Sequence, residues 1–315
     1  MATNKSPAQK YPTGISARLA ARTKLLTEQT AGIAPSYLQA NLIVVPSRYA
    51  NDFRLLCARN PVPCPLLAES ATPGQATQLK SYLQAPARTS VPNGGRANGN
   101  KHLENGIIEV AQDIDLRHDF PKYRLYTDGL PDGEDVLDIS LQWTNDHVGF
   151  LIGCSYSFES ALNAAGFTPR HQLHNRNVPM YRTTVPLCPA GVFKGATYVV
   201  SMRPYKLEDI ERVRDITRPY VATHGEPIAW GWDGMRQLGI TDITDVQWGE
   251  QSLMLDGSGR PFDASESGYV PVFWGCGVTP QNAAMTAGLE GTVMAHSPGH
   301  MIVLDVREDE VFPAL

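Results

Sequence analysis

The chain reads as an α/β protein whose sheet is mixed or largely parallel and covered on both faces. Three observations carry that expectation. Short apolar or β-branched runs recur and end in proline or glycine turns, as in 41-NLIVVP-46, 147-HVGFLIGC-154 and 270-VPVFWGC-276. Segments with helical spacing of apolar residues alternate with them. A length of 315 residues with 42% hydrophobic content is enough to bury one large or two moderate cores.

In order along the chain, Ser16 caps a helix over 17–29, which Gly32 and Pro35 stop. Residues 41–46 form a buried strand. Ser47 then caps a helix over 48–60, where Phe53, Leu56 and Cys57 share one face before 61-PVPCP-65 ends it. Around 92-PNGGRANGN-100 the chain turns polar and aperiodic, so 75–106 reads as a mobile surface loop. Strands follow at 123–129 and 147–154, then a short helix over 157–166 with Ser157 near its start and Gly166 at its end. A strand at 196–204 leads into an amphipathic helix over 206–220. A strand at 270–276, a helix over 280–288 begun by Thr279 and Pro280, and a strand at 301–306 complete the order. There is no internal repeat.

A net charge of -5 with acids and bases interspersed offers no basic stripe for a phosphate backbone, so nucleic acid is not an expected partner. No apolar run reaches the roughly 20 residues that span a bilayer, and no membrane is expected either. Five cysteines without CxxC spacing fit free thiols in a reducing compartment, the cytoplasm. Five basic residues before the first acid, Glu28, keep a mitochondrial matrix location open.

Three turns share one layout, in which a buried strand ends and polar side chains gather: 152-IGCSYSFE-159, 200-VSMRP-204 and 274-WGCGVTPQ-281. Cys154, Ser155 and Ser157 fall at a helix start, where the dipole lowers a thiol's pKa and free amides can hold a carboxylate. Glu159 is placed to act as a general base; ordinary capping and packing is the competing reading. Cys276, flanked by glycines, precedes the helix that carries Thr279 and Gln281, and core filling competes there. His296 and His300 flank Pro298 and Gly299, which makes a turn and not a helical metal pair. With His224 they could still converge on zinc, yet no metal and no cofactor is expected. Arg182 and Arg203 offer planar forks for a carboxylate; Arg203 emerges from a buried run and needs a partner.

Several long phrases then resemble a known family: 30-TAGIAPSYLQANLIVVP-46, 60-NPVPCPLL-67, 119-DFPKYRLY-126, 149-GFLIGCSYSFESAL-162, 176-RNVPMYRT-183, 199-VVSMRP-204, 272-VFWGCGVTPQ-281 and 296-HSPGHM-301. Together they resemble the hydro-lyase family that includes the bacterial YcsI-like proteins and the N-terminal part of mitochondrial D-glutamate cyclase. The resemblance implies a discontinuous three-layer α/β/α domain, over 16–121 plus 222–315, with a smaller two-layer α+β domain inserted over 122–221. It implies lyase chemistry by loss of water from a small amino or hydroxy acid carboxylate, with cyclisation of D-glutamate to 5-oxo-D-proline as one such reaction.

On this reading Arg203 and Arg182 bind carboxylates, aided by amides after Cys154 and Cys276. His224 or Glu159 removes a proton, His296 or His300 protonates the departing oxygen, and Ser155 and Gln281 orient the substrate. Ser157 and Thr279 complete the binding set. Two alternatives stay open. One is a racemase or epimerase using Cys154 and Cys276 as thiol and thiolate; the other is a metabolite-binding protein without catalysis. The partner is a small carboxylate, with self-association into a homo-oligomer left open.

Overall fold

The computed structural model describes residues 6–86 and 106–312. Of the loop expected over 75–106, residues 87–105 lie outside the described residues, and the part before them holds a short strand, Leu79–Ser81.

The described strands are, in chain order, β1 (Tyr37–Pro46), β2 (Leu66–Ser70), β3 (Leu79–Ser81), β4 (Tyr123–Thr127), β5 (Leu130–Pro131), β6 (His147–Gly153), β7 (Met180–Pro186), β8 (Thr197–Lys206), β9 (Ala229–Trp230), β10 (Tyr269–Gly275), β11 (Thr292–His296) and β12 (Ile302–Arg307). They form an α/β fold with two sheets. The larger runs β3-β2-β6-β1-β11-β4-β5 with β12 also on β1, and the smaller runs β7-β8-β10-β9. The larger sheet therefore takes strands from 37–153 and 292–307, and the smaller takes its strands from 180–275. Within the segment 122–221, β4 and β6 belong to the larger sheet; β9 and β10, outside it, belong to the smaller.

Every pairing between these strands is antiparallel, which corrects the expectation of a mixed or largely parallel sheet. The reason is physical. Strands β1 and β6 are buried on both faces, and a doubly covered strand shows an unbroken apolar run whichever way its neighbour points.

Along β1 the side chains alternate between two cores. Leu38, Ala40, Leu42 and Val44 join one with Trp274, Tyr205 and Val213. Ile43 and Val45 join the other, with Phe53 and Leu56 from the helix Ala50–Arg59 and Ala283 and Ala284 from the helix Thr279–Ala287. The far face of the smaller sheet packs Val200, Met202 and Phe273 against Met235 and Leu238.

Most expected elements are present, with altered ends. The first long helix is Gly14–Arg22, and its N-cap is Thr13, not Ser16. Ser16 instead sits at the third helical position and closes a reciprocal capping box with Thr13. Thr279 is likewise not a cap: its hydroxyl accepts from Val199 N at 3.0 Å and pins its helix to β8. Strands β2, β7 and β11 were not anticipated.

Gly153, the last residue of β6, has no room for a side chain. A Cβ there would lie 2.0 Å from the Ala222 carbonyl oxygen. Because the clash is with backbone, Gly153→Ala is expected to destabilise the fold by about 1–3 kcal/mol. A urea midpoint equal to that of the wild type would contradict this.

Candidate functional site

A concavity is built from β4 outward. On a strand, alternate side chains face opposite ways. Tyr123 and Leu125 enter the core, while Lys122, Arg124 and Tyr126 line a cavity of about 660 Å³. Arg182 of β7, Trp248, and Gln281 and Asn282 from the first turn of the helix Thr279–Ala287 form the opposite wall. A second cavity of about 430 Å³ shares Lys122, Arg124 and Trp248 and adds Asn177, Ser297 and His300. The two adjoin through these shared residues as a two-part cleft with three cationic side chains.

Their charges are not equally free. Arg124 pairs with Asp135 at 2.9 and 3.4 Å, and Ser297 donates its hydroxyl to the same carboxylate. Burial pushes the Asp135 carboxyl up, but Arg124 and Ser297 outweigh it and hold it below the ordinary value. Arg182 donates from Nε to Asn282 Oδ1 at 3.1 Å, with its guanidinium 5.4 Å from the Trp248 ring centroid. Lys122 makes no side-chain hydrogen bond or ion pair with the described residues. Lys122 and Arg182 therefore carry the charge available to an anion.

His300 lines the second of these cavities. Its Nδ1 lies 3.1 Å from the Pro298 carbonyl oxygen, so Nδ1 carries the proton and Nε2 keeps its lone pair. Burial holds the ring's pKa below the ordinary value, with the Pro298 carbonyl opposing and Lys122 adding to the depression. The ring is neutral at pH 7.

Of the residues singled out from sequence, Arg182, Gln281 and His300 meet on this cleft. Arg203, Glu159 and Ser155 meet elsewhere, in a buried ion cluster. Arg203 reaches Glu159 Oε1 from Nε at 2.9 Å and from Nη2 at 2.5 Å, and donates to Ser155 and Ser201 at 3.1 Å. His171 and Gln172 occupy the rest of the carboxylate. Burial alone would raise the Glu159 pKa, but His171 and Arg203 outweigh it and hold the carboxyl at about 2. The partner that Arg203 needs is thus within the chain, and Glu159 is too acidic to serve as a base near neutrality.

His296 and His224 are also interior. His296 sits where β12 and β11 leave a gap along β1: its Nδ1 lies 3.1 Å from both the Leu42 amide N and the Leu42 carbonyl oxygen, and 2.9 Å from Gln281 Nε2. Nδ1 of His224 donates to the Val62 carbonyl at 2.8 Å. Burial depresses both, to about 3 for His296 and about 4 for His224. No three His, Cys, Asp or Glu among the described residues stand together as metal ligands.

Ser157 is spent on β1, where its hydroxyl accepts from Gln39 N at 2.9 Å. Cys154 and Cys276 share an apolar cluster with Met180, Val199 and Met301. Burial pushes the Cys154 thiol well up and the Cys276 thiol to about 11, opposite to the lowering expected from a helix dipole. Burial thus favours the neutral thiol at both positions, which weighs against the racemase reading.

Lys122, Arg124, Asp135, Asn177, Trp248 and Ser297 escaped attention in the sequence. One signal existed: 122-KYRLY-126 alternates polar and apolar side chains, as a strand with one face on a cleft must.

No described helix is long and apolar enough to cross a membrane. Residues 148–305 match the D-glutamate cyclase family model. The chain is similar to a Schizosaccharomyces pombe protein named "Putative hydro-lyase", 43% identical over 295 residues, 94% of this chain and 85% of that one. Relatives of the same name from Bacillus licheniformis, covering 90% of this chain and 91% of theirs, and from Bordetella petrii, covering 93% and 94%, are each 40% identical.

Proposed function

The chain belongs to the D-glutamate cyclase family, and from that premise we propose that it is a hydro-lyase working in the Lys122–Arg182–His300 cleft. The proposed substrate is a small amino or hydroxy acid carboxylate, with closure of D-glutamate to 5-oxo-D-proline as the reaction that fits best. One observation carries the reading: two cations with no ion pair among the described residues, and a neutral imidazole, border two adjoining cavities that share Lys122, Arg124 and Trp248.

In this mechanism Arg182 and Lys122 pair with the two carboxylates of the substrate and fix it in a bent conformation. His300 Nε2 takes a proton from the ammonium group. The freed amine attacks the distal carboxyl carbon; a C–N bond forms and one C–O bond breaks. Two protons leave the nitrogen in all, and His300 relays them to the departing oxygen, which leaves as water. The lactam nitrogen keeps one hydrogen, so atoms and charge balance.

Proton NMR of the purified protein with D-glutamate, L-glutamate and a panel of hydroxy acids tests this. The expected product is 5-oxoproline from D-glutamate. Loss of water from a different acid would keep the hydro-lyase and discard the substrate; no reaction across the panel would sink the proposal. Arg182→Met removes one charge-assisted pair worth about 1.5–3 kcal/mol, so kcat/KM is expected to fall about 10- to 100-fold, mostly through KM. Unchanged kinetics in that variant would remove Arg182 from the site.

A further inference from the structure

The Pro298 carbonyl oxygen receives two hydrogen bonds, from His300 Nδ1 at 3.1 Å and from Asn177 Nδ2 at 3.0 Å. The Asn177 amide has its orientation set from behind. Val178 N approaches the Tyr156 hydroxyl at 3.5 Å, so the hydroxyl proton goes to Asn177 Oδ1 at 2.9 Å, and Nδ2 must face Pro298. The Tyr156 ring is itself buried and stacked on His171, with centroids 5.6 Å apart and planes 17° apart. Gly299 completes the arrangement. At φ +88° it adopts a left-handed conformation, and a Cβ there would lie 2.3 Å from Asn177 Nδ2, so the amide fills the space that a side chain would take. Asn177 N is anchored in turn by Glu250 Oε2 at 2.8 Å.

We propose that Asn177 is a positioning residue for His300: by sharing the Pro298 carbonyl, and held there by Tyr156, it fixes the tilt of the ring and limits its basicity. This rests on the reading of His300 as the base of the cleft. The physical argument is competition. A carbonyl already bound by the amide is a poorer acceptor for an imidazolium N–H, which disfavours the charged ring. The charged groups that also act on the ring are Lys122, Asp135 and Glu28, and none of them belongs to this chain of contacts.

The test is a pH titration of the His300 ring by nitrogen-detected NMR in wild type, Asn177→Ala and Tyr156→Phe, with His300→Gln to assign the signal. Wild type is expected to show the Nδ1–H tautomer and a midpoint below 6.5. In Asn177→Ala the midpoint rises toward 6.5 with the Nδ1–H tautomer kept, while kcat falls about 10- to 100-fold with KM within about twofold as the ring loses its fixed tilt. Tyr156→Phe keeps the buried ring and removes only the hydroxyl, so it is expected to give a smaller shift of the same sign even if Asn177→Ala folds poorly. An unchanged midpoint in both variants, or loss of the Nδ1–H tautomer in either, would overturn the proposal. Because the spectrum reads the ring without turnover, a shifted ring in a protein inert toward every acid would count against the hydro-lyase reading and not against the positioning.

Discussion

Arg203→Met is expected to lower the unfolding free energy by about 3–5 kcal/mol, measured as a fall in the urea midpoint at pH 7. The substitution leaves the fully buried Glu159 carboxylate without its principal cation and removes the guanidinium bonds to Ser155 and Ser201. It also removes a cation lying 5.2 Å from the Phe158 ring centroid and 5.3 Å from that of Trp274. The penalty has a pH signature. Glu159 is held at about 2 against an ordinary value of 4.5, so its contribution is complete above pH 4.5 and drains as the pH falls toward 2. The deficit of the variant should narrow through that window, because a neutral carboxyl no longer needs the cation. Glu159→Gln combined with Arg203→Met should cost less than the sum of the two single changes. An Arg203→Met protein as stable as wild type at pH 7 would show that the cluster is not what joins the smaller sheet to the turn after β6.

For catalysis the largest expected effect is that of His300→Gln, a fall in kcat of about 10²- to 10⁴-fold with KM nearly unchanged, since Lys122 and Arg182 remain to bind the substrate. The pH profile gives the sign. A ring whose pKa is depressed stays unprotonated further into the acid range, so the acid limb of wild-type kcat/KM should lie below pH 6.5. That limb should vanish in His300→Gln. A variant that keeps both its rate and its limb would transfer the base to another group.

Much of the fold was legible in the sequence because local signals report local structure. The apolar runs around 41–46, 147–154 and 270–276 are strands, and the helix at 280–288 lies within one residue of its expected place. Strand direction was not legible, since burial on both faces erases the alternation that would have distinguished the possibilities. The short strands β2, LLAES, and β11, TVMAH, are bounded by turns but too brief to show a period, and Leu, Ala, Glu and Met favour helix.

At the site, residue chemistry was legible and residue environment was not. The sequence by itself determined that Arg203 needs a counter-charge, that two histidines flank a Pro-Gly turn, and that strand ends gather polar side chains. Only the tertiary structure decided that the counter-charge is Glu159, 44 residues away, that His296 closes a gap in a ladder, and that His300 faces a cleft. Charge pairing and desolvation depend on which distant segments meet, and side chains as alike as His296 and His300 acquire different chemistry when one is enclosed by backbone and the other borders open space.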